Sequence, residues 1–137
     1  MNVEQAVEWL RSQPDQREFV KSCYFDDPVE IAAARFAASS EWLATLKLLV
    51  SVPRRALDVG AGRGIASYAL AKSGWDVVAL EPDKSAVIGA ECIRSLVSEC
   101  GLRITVKVGC TEKLDCADNS FDLVYARQVL HHVEDLD

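Results

Sequence analysis

Several features are missing from this 137-residue chain, and each absence excludes something. No apolar run approaches the ~20 residues that cross a bilayer, so no membrane-spanning helix is expected. The opening stretch, MNVEQAVEWLRSQPDQ, carries Glu4 and Glu8 where a secretory leader has a basic start and an apolar run. Export is therefore not expected, and a cytoplasmic location is. The five cysteines, Cys23, Cys92, Cys100, Cys110 and Cys116, are odd in number and contain no CxxC pair. Neither a disulfide framework nor a zinc knuckle is indicated; reduced thiols and no bound metal are the expectation. Basic charge is in deficit, with 15 Lys and Arg against 21 Asp and Glu and a net charge of −6. Such a chain is poorly suited to gripping a nucleic-acid backbone or an anionic membrane. Repeats and low-complexity tracts are also absent. What is there, 50% apolar and 26% charged residues, is the composition of a folded protein of about one domain.

The first fifty residues read as helices. Val3, Ala6, Val7 and Leu10 recur at helical spacing until Pro14. Asp15 with Glu18 can cap a second helix. Asp27-Pro28-Val29-Glu30 reads as a stronger start, with Asp27 as cap, and Phe36, Leu43, Leu46 and Val50 then mark one long apolar face ending before Pro53. From there the pattern changes. Ala56 to Val59 is an expected strand, Gly60 to Gly64 a glycine-rich turn, and Ile65 to Lys72 a helix. Asp76 to Leu80 is a second strand. Pro82-Asp83 opens a helix to about Cys100, Ile104 to Val108 is a third strand, Phe121 to Ala126 a fourth, and Gln128 begins a helix. Alternating strands and helices imply a parallel α/β sheet with right-handed crossovers. ITVKV alternates and suits an edge; FDLVYA, mostly apolar, calls for two covered faces.

Three of the seven glycines, Gly60, Gly62 and Gly64, fall in LDVGAGRG, between a strand and a helix. Such a turn brings backbone close to a ligand and offers the unpaired N–H groups of a helix start. The dinucleotide pattern GxGxxG is not met, because Ile65 stands at its third glycine. The Gly-Lys-Ser/Thr ending of a phosphate loop is missing too. Asp58, just ahead of the turn, would repel a pyrophosphate and suit an ammonium or sulfonium group. Glu81 follows Gly60 by 21 residues, where an acid can accept both ribose hydroxyls. These residues fit a cationic, phosphate-free nucleoside, and S-adenosylmethionine (SAM) is one. A dinucleotide-dependent oxidoreductase is the poorer fit.

LDVGAGRG, ALEPD and FDLVYARQVLHHVEDLD together resemble the class I SAM-dependent methyltransferases, in particular the broad small-molecule group of methyltransferase domain 11 type. The likeness covers about residues 30 to 137. It implies a Rossmann-like fold of which this chain holds the N-terminal half, with strands in order 3-2-1-4 behind N-terminal helices. It implies SAM as cofactor, S-adenosylhomocysteine as product, and a small-molecule methyl acceptor. Gly60, Ala61 and Gly62 would form the turn under the methionine tail, with Asp58 orienting the turn or the tail's amino group. Glu81 would take the ribose, and Pro82 and Asp83 would line the adenine. Where the family often has Gly-Asp-Ala-Glu, this chain reads Gly109-Cys110-Thr111-Glu112; Cys110 is a weak hydrogen-bond partner, leaving Thr111 or backbone to meet the adenine amino group. Ala126 and Arg127 would form the lip between cofactor and acceptor.

No catalytic residue is evident. His132, with His131 beside it, is a weak general-base candidate against a plain packing role. Tyr24-Phe25-Asp26 could close as a lid, against a plain helix junction. The expected division is a helical cap over 1–52 and a SAM-binding core over 53–137, ending after strand four. That strand, central in the family, would then be an exposed edge, to be covered by the remainder of a longer enzyme, a second copy or another subunit. A non-catalytic SAM-binding module dependent on such a partner is the alternative function.

Overall fold

The computed structural model describes residues 1–49 and 52–134; Val50 and residues 135–137, which figure in the patterns above, lie outside them. Four short helices come first. α1 (Val3–Ser12) is held at its start by a capping box: the Asn2 side chain accepts from the Gln5 N–H at 2.8 Å and the Gln5 side chain accepts from the Asn2 N–H at 3.0 Å. A 3₁₀ turn (Pro14–Gln16) leads into α2 (Arg17–Ser22), which has no side-chain cap, so Asp15 does not cap it. α3 (Val29–Ala37) begins after Pro28, and no side chain caps it. Asp27 is not its cap; that carboxylate is engaged by Arg11 and Arg63 instead.

The long helix expected through Phe36 and Leu46 is two. α3 ends at Ala37, and Ser39 caps α4 (Ser40–Leu46) by accepting from the Trp42 N–H at 3.1 Å. The break turns both Phe36 and Trp42 into the core, where they are 0% and 1% exposed.

The remainder is β1 (Arg55–Val59), α5 (Ile65–Lys72), β2 (Asp76–Glu81), α6 (Ala90–Cys100), β3 (Ile104–Val108) and β4 (Leu123–Ala126). The four strands are parallel in the order β3-β2-β1-β4, as expected. Alternation sorts the two central strands by face. Ala56, Val77 and Ala79 join the main core with α3, α5, α6 and Trp42, while Leu57, Val59, Val78 and Leu80 form a smaller cluster with Phe121 and Val129.

Three further features differ from expectation. α6 starts at Ala90, not Pro82, because side chains capture the intervening backbone: Glu81 accepts from the Asp83 N–H at 2.9 Å and Asp83 accepts from the Ser85 N–H at 2.7 Å. Such local bonds compete with helix formation. β4 is covered on one face only. Leu123 and Tyr125 pack on the core, but Val124, pointing to the opposite face, is 61% exposed. After Gln128, whose φ is 54°, the backbone makes a single 3₁₀ turn (Leu130–His132) rather than the start of an α-helix.

Candidate functional site

The strand order reverses direction between β1 and β4, and in open α/β sheets a crevice opens there beyond the strand carboxyl ends. A cavity of about 580 Å³ occupies that place, bounded by the ends of β1 and β2, the glycine turn, the loop after β3, the segment after β4, and residues just beyond α2. The volume suits a ligand of cofactor size.

The turn explains its glycines individually. Gly60 has φ of 64° and a Cβ there would lie 2.3 Å from Val129 Cγ2, so any side chain is blocked. Gly62 has φ of 56°, and a Cβ there would meet nothing within 4 Å. Its glycine keeps the backbone conformation and leaves bare peptide facing open space. The Ala61 N–H donates to the Leu80 carbonyl at 3.0 Å, tying the turn to β2.

Asp58 and Glu81 both lie on the cavity wall. Asp58 is 1% exposed and accepts from the Ser67 hydroxyl at 2.6 Å. Burial pushes its carboxyl up to about 7; the Ser67 bond opposes this and the Glu81 charge adds to it. Glu81, 7% exposed, accepts from the Gly62 N–H at 2.6 Å and the Asp83 N–H at 2.9 Å. Burial raises its pKa as well, against those two bonds. Neither acid has a cationic partner among the described residues.

The other expected positions surround the same space. Pro82 and Asp83 line one side, and Cys110, Thr111 and Glu112 line another. Arg127, His131 and His132 face it from beyond β4, and Tyr24 and Phe25 from the N-terminal part; Ala126 and Asp26 do not line it. Arg127 is held by Glu41 of α4 at 2.6 Å and lies over the rings of Tyr24 and Phe36. That hydrogen bond keeps the Glu41 carboxyl below its usual range. The rings of His131 and His132 lie 4.0 Å apart between centroids, tilted by 45°. Two participants went unrecognised in the sequence. Ser67, fully buried, sits on α5 under Asp58, and Arg63, 5% exposed, reaches from the turn to two distant segments, 24–27 and Val87. The nine residues from Asp58 to Ser67 are a signal that a strand–turn–helix reading can use, whereas the partners of Arg63 are too far away in sequence to be inferred.

A parallel sheet with this order, a glycine turn after β1 and an acid ending β2 define a Rossmann-like, nucleoside-binding protein of the class I methyltransferase fold. The methyltransferase domain family matches residues 57–137, and the chain belongs to it. It is 37% identical over 82 residues to a ubiquinone biosynthesis O-methyltransferase of Azorhizobium caulinodans, a match that takes in 60% of this chain and 31% of the relative. Among solved structures it is similar to the YcgJ protein of Bacillus subtilis, with TM-score 0.61, 24% identity, and coverage of 74% of this chain and 41% of the other. It is equally similar in fold, at TM-score 0.61 and 22% identity, to a Methanococcus maripaludis protein described as SAM-dependent methyltransferase, with 78% and 53% covered. At these identities the structural likeness is one of fold. The chain therefore spans about a third of the curated relative and about half of the solved ones. Family membership implies SAM as the cofactor. The site fits it: bare peptide at Gly62, two buried acids without a counter-cation, and room for an adenosyl group.

Proposed function

We propose that this chain is the cofactor-holding part of a SAM-dependent methyltransferase acting on a small-molecule acceptor. The observation that carries the reading is the pair of buried acids, Asp58 and Glu81, on the wall of a cavity floored by open glycine backbone. Such a wall disfavours a pyrophosphate and favours a cationic nucleoside. Glu81 would accept the ribose hydroxyls with the lone pairs that Gly62 and Asp83 leave free. Asp58 would face the tail's amino group, and Gly60, Ala61 and Gly62 would lie under the tail. Pro82, Asp83, Cys110 and Thr111 would border the adenine, with Arg127 at the lip beside the acceptor.

When bound, SAM supplies an electrophilic methyl group on a sulfonium, transferred by in-line displacement. The chain's own part is to hold and orient, an effect worth up to ~7–11 kcal/mol in well-aligned intramolecular reactions. His132 stands at the cavity as the candidate to take a proton from an acceptor hydroxyl or amine. Residues 1–52 would act as the cap and 53–137 as the core. Their shared packing, with Phe36 and Trp42 in the sheet's main cluster, supports a cap fixed to its core.

Calorimetry with S-adenosylhomocysteine tests the proposal. The wild-type chain is expected to bind, and Glu81→Ala to bind at least about tenfold more weakly, the scale of losing hydrogen bonds to a charged group. Absence of wild-type binding would overturn the cofactor reading; unchanged affinity in E81A would remove the ribose assignment.

A further inference from the structure

Residues 23–28 belong to no helix or strand, yet Tyr24 and Phe25 in this segment form one wall of the cavity. Tyr24 is itself in the left-handed region, with φ of 58°. Three arginines from three elements hold this irregular piece. Arg63 of the glycine turn, its side chain 4% exposed, donates from Nη1 to the carbonyls of Tyr24 and Asp26, both at 2.7 Å, and pairs through Nη2 with the Asp27 carboxylate. Its Nε donates to the Val87 carbonyl at 2.9 Å, in the loop between β2 and α6. Arg11 of α1 donates to the Phe25 carbonyl at 2.6 Å and pairs with Asp27 at 2.7 Å. Arg35 of α3 pairs with Asp26 at 2.6 Å and lies over the Tyr24 ring, 5.3 Å from its centroid.

We infer that Arg63 is a positioning residue that seats the 24–27 segment on the glycine turn and so couples closure of that wall to cofactor binding. The coupling rests on the SAM reading proposed above; the seating does not. The turn carries both functions on adjacent residues. Gly62 fixes the Glu81 carboxylate by its N–H, and Arg63, next in the chain, fixes the cap. A ligand that settles the turn therefore settles the cap, and a loose cap leaves the turn less ordered for the ligand. Lysine cannot replace Arg63 here. Its acceptors lie in four directions around one buried planar fork, a geometry that a single ammonium does not span.

The test combines S-adenosylhomocysteine titration with amide hydrogen exchange over residues 20–30 of the whole chain. Wild type should show slow exchange there, slowed further by the ligand. Arg63→Lys should exchange faster in the free chain, bind about ten- to a hundredfold more weakly, and show no added protection on binding. Asp27→Asn, at a side chain 59% exposed and so tolerant of substitution, should shift all three in the same direction. A wild-type chain that binds no S-adenosylhomocysteine removes the cofactor reading and the coupling together. Normal wild-type binding with both variants matching it in affinity and exchange overturns the role of Arg63 alone.

Discussion

Asp58 carries the electrostatics of the site at the scale of one side chain. Its carboxyl, at about 7 in the folded protein, sits well above the ordinary 3.8. Below about pH 4 the folded and unfolded chains both hold the proton, and nothing depends on it. Between there and pH 7 the unfolded chain releases a proton that the folded one keeps, so stability declines as pH rises, by up to about 4 kcal/mol. Asp58→Asn should flatten that decline in urea denaturation measured from pH 4 to 7; an unchanged slope would show that Asp58 is not its source. Among the described residues Ser67 is the one side chain that hydrogen-bonds Asp58, and Ser67→Ala should move the titration higher still. A cationic ligand brought beside Asp58 would draw the proton off. SAM binding near pH 6 is accordingly expected to release protons, read as a dependence of the calorimetric heat on buffer ionisation enthalpy, and D58N should lose that release.

Among the elements, an aromatic chain runs from the cap to the sheet. Tyr24, Phe36, Trp42 and Tyr125 follow one another with centroid separations of 5.4, 5.8 and 6.1 Å, linking the cavity wall through α3 and α4 to β4. Trp42→Ala should cost about 3–5 kcal/mol in chemical denaturation; a loss below about 1 kcal/mol would mean that the helices are not cemented to the sheet. The elements also show what could be read in advance. Strand positions followed from short apolar runs between glycine and proline breaks, their order from the resemblance to the methyltransferase family, and the acid after β2 from its spacing to Gly60. The split between α3 and α4 is carried by the Ser39 cap, masked in sequence by apolar residues on either side. The late start of α6 depends on Glu81 and Asp83 bonding to backbone rather than letting it coil. The role of Arg63 is not legible in the sequence because its acceptors lie 24 to 39 residues away.

For the molecule as a whole, both outer strands, β3 and β4, have one strand neighbour among the described residues, and β4 carries the more exposed apolar side chain. β4 pairs with β1 alone among the described residues, and Val124 is largely exposed beside it. Unpaired edges recruit other strands. The chain on its own is expected to self-associate with rising concentration in sedimentation velocity, and Val124→Lys to suppress this; a wild-type monomer at all concentrations would contradict it. No helix of the described residues is long and apolar enough to cross a membrane. What the fold places at the crevice is a ring of groups from six parts of the chain, and the meaning of that ring turns on the sign of the ligand it accepts. Parallel titration of the chain with SAM and with a nicotinamide dinucleotide measures this directly. Saturable binding of the sulfonium compound, weakened in E81A, with no binding of the dinucleotide, is the predicted result; a dinucleotide that binds as tightly as SAM would contradict it.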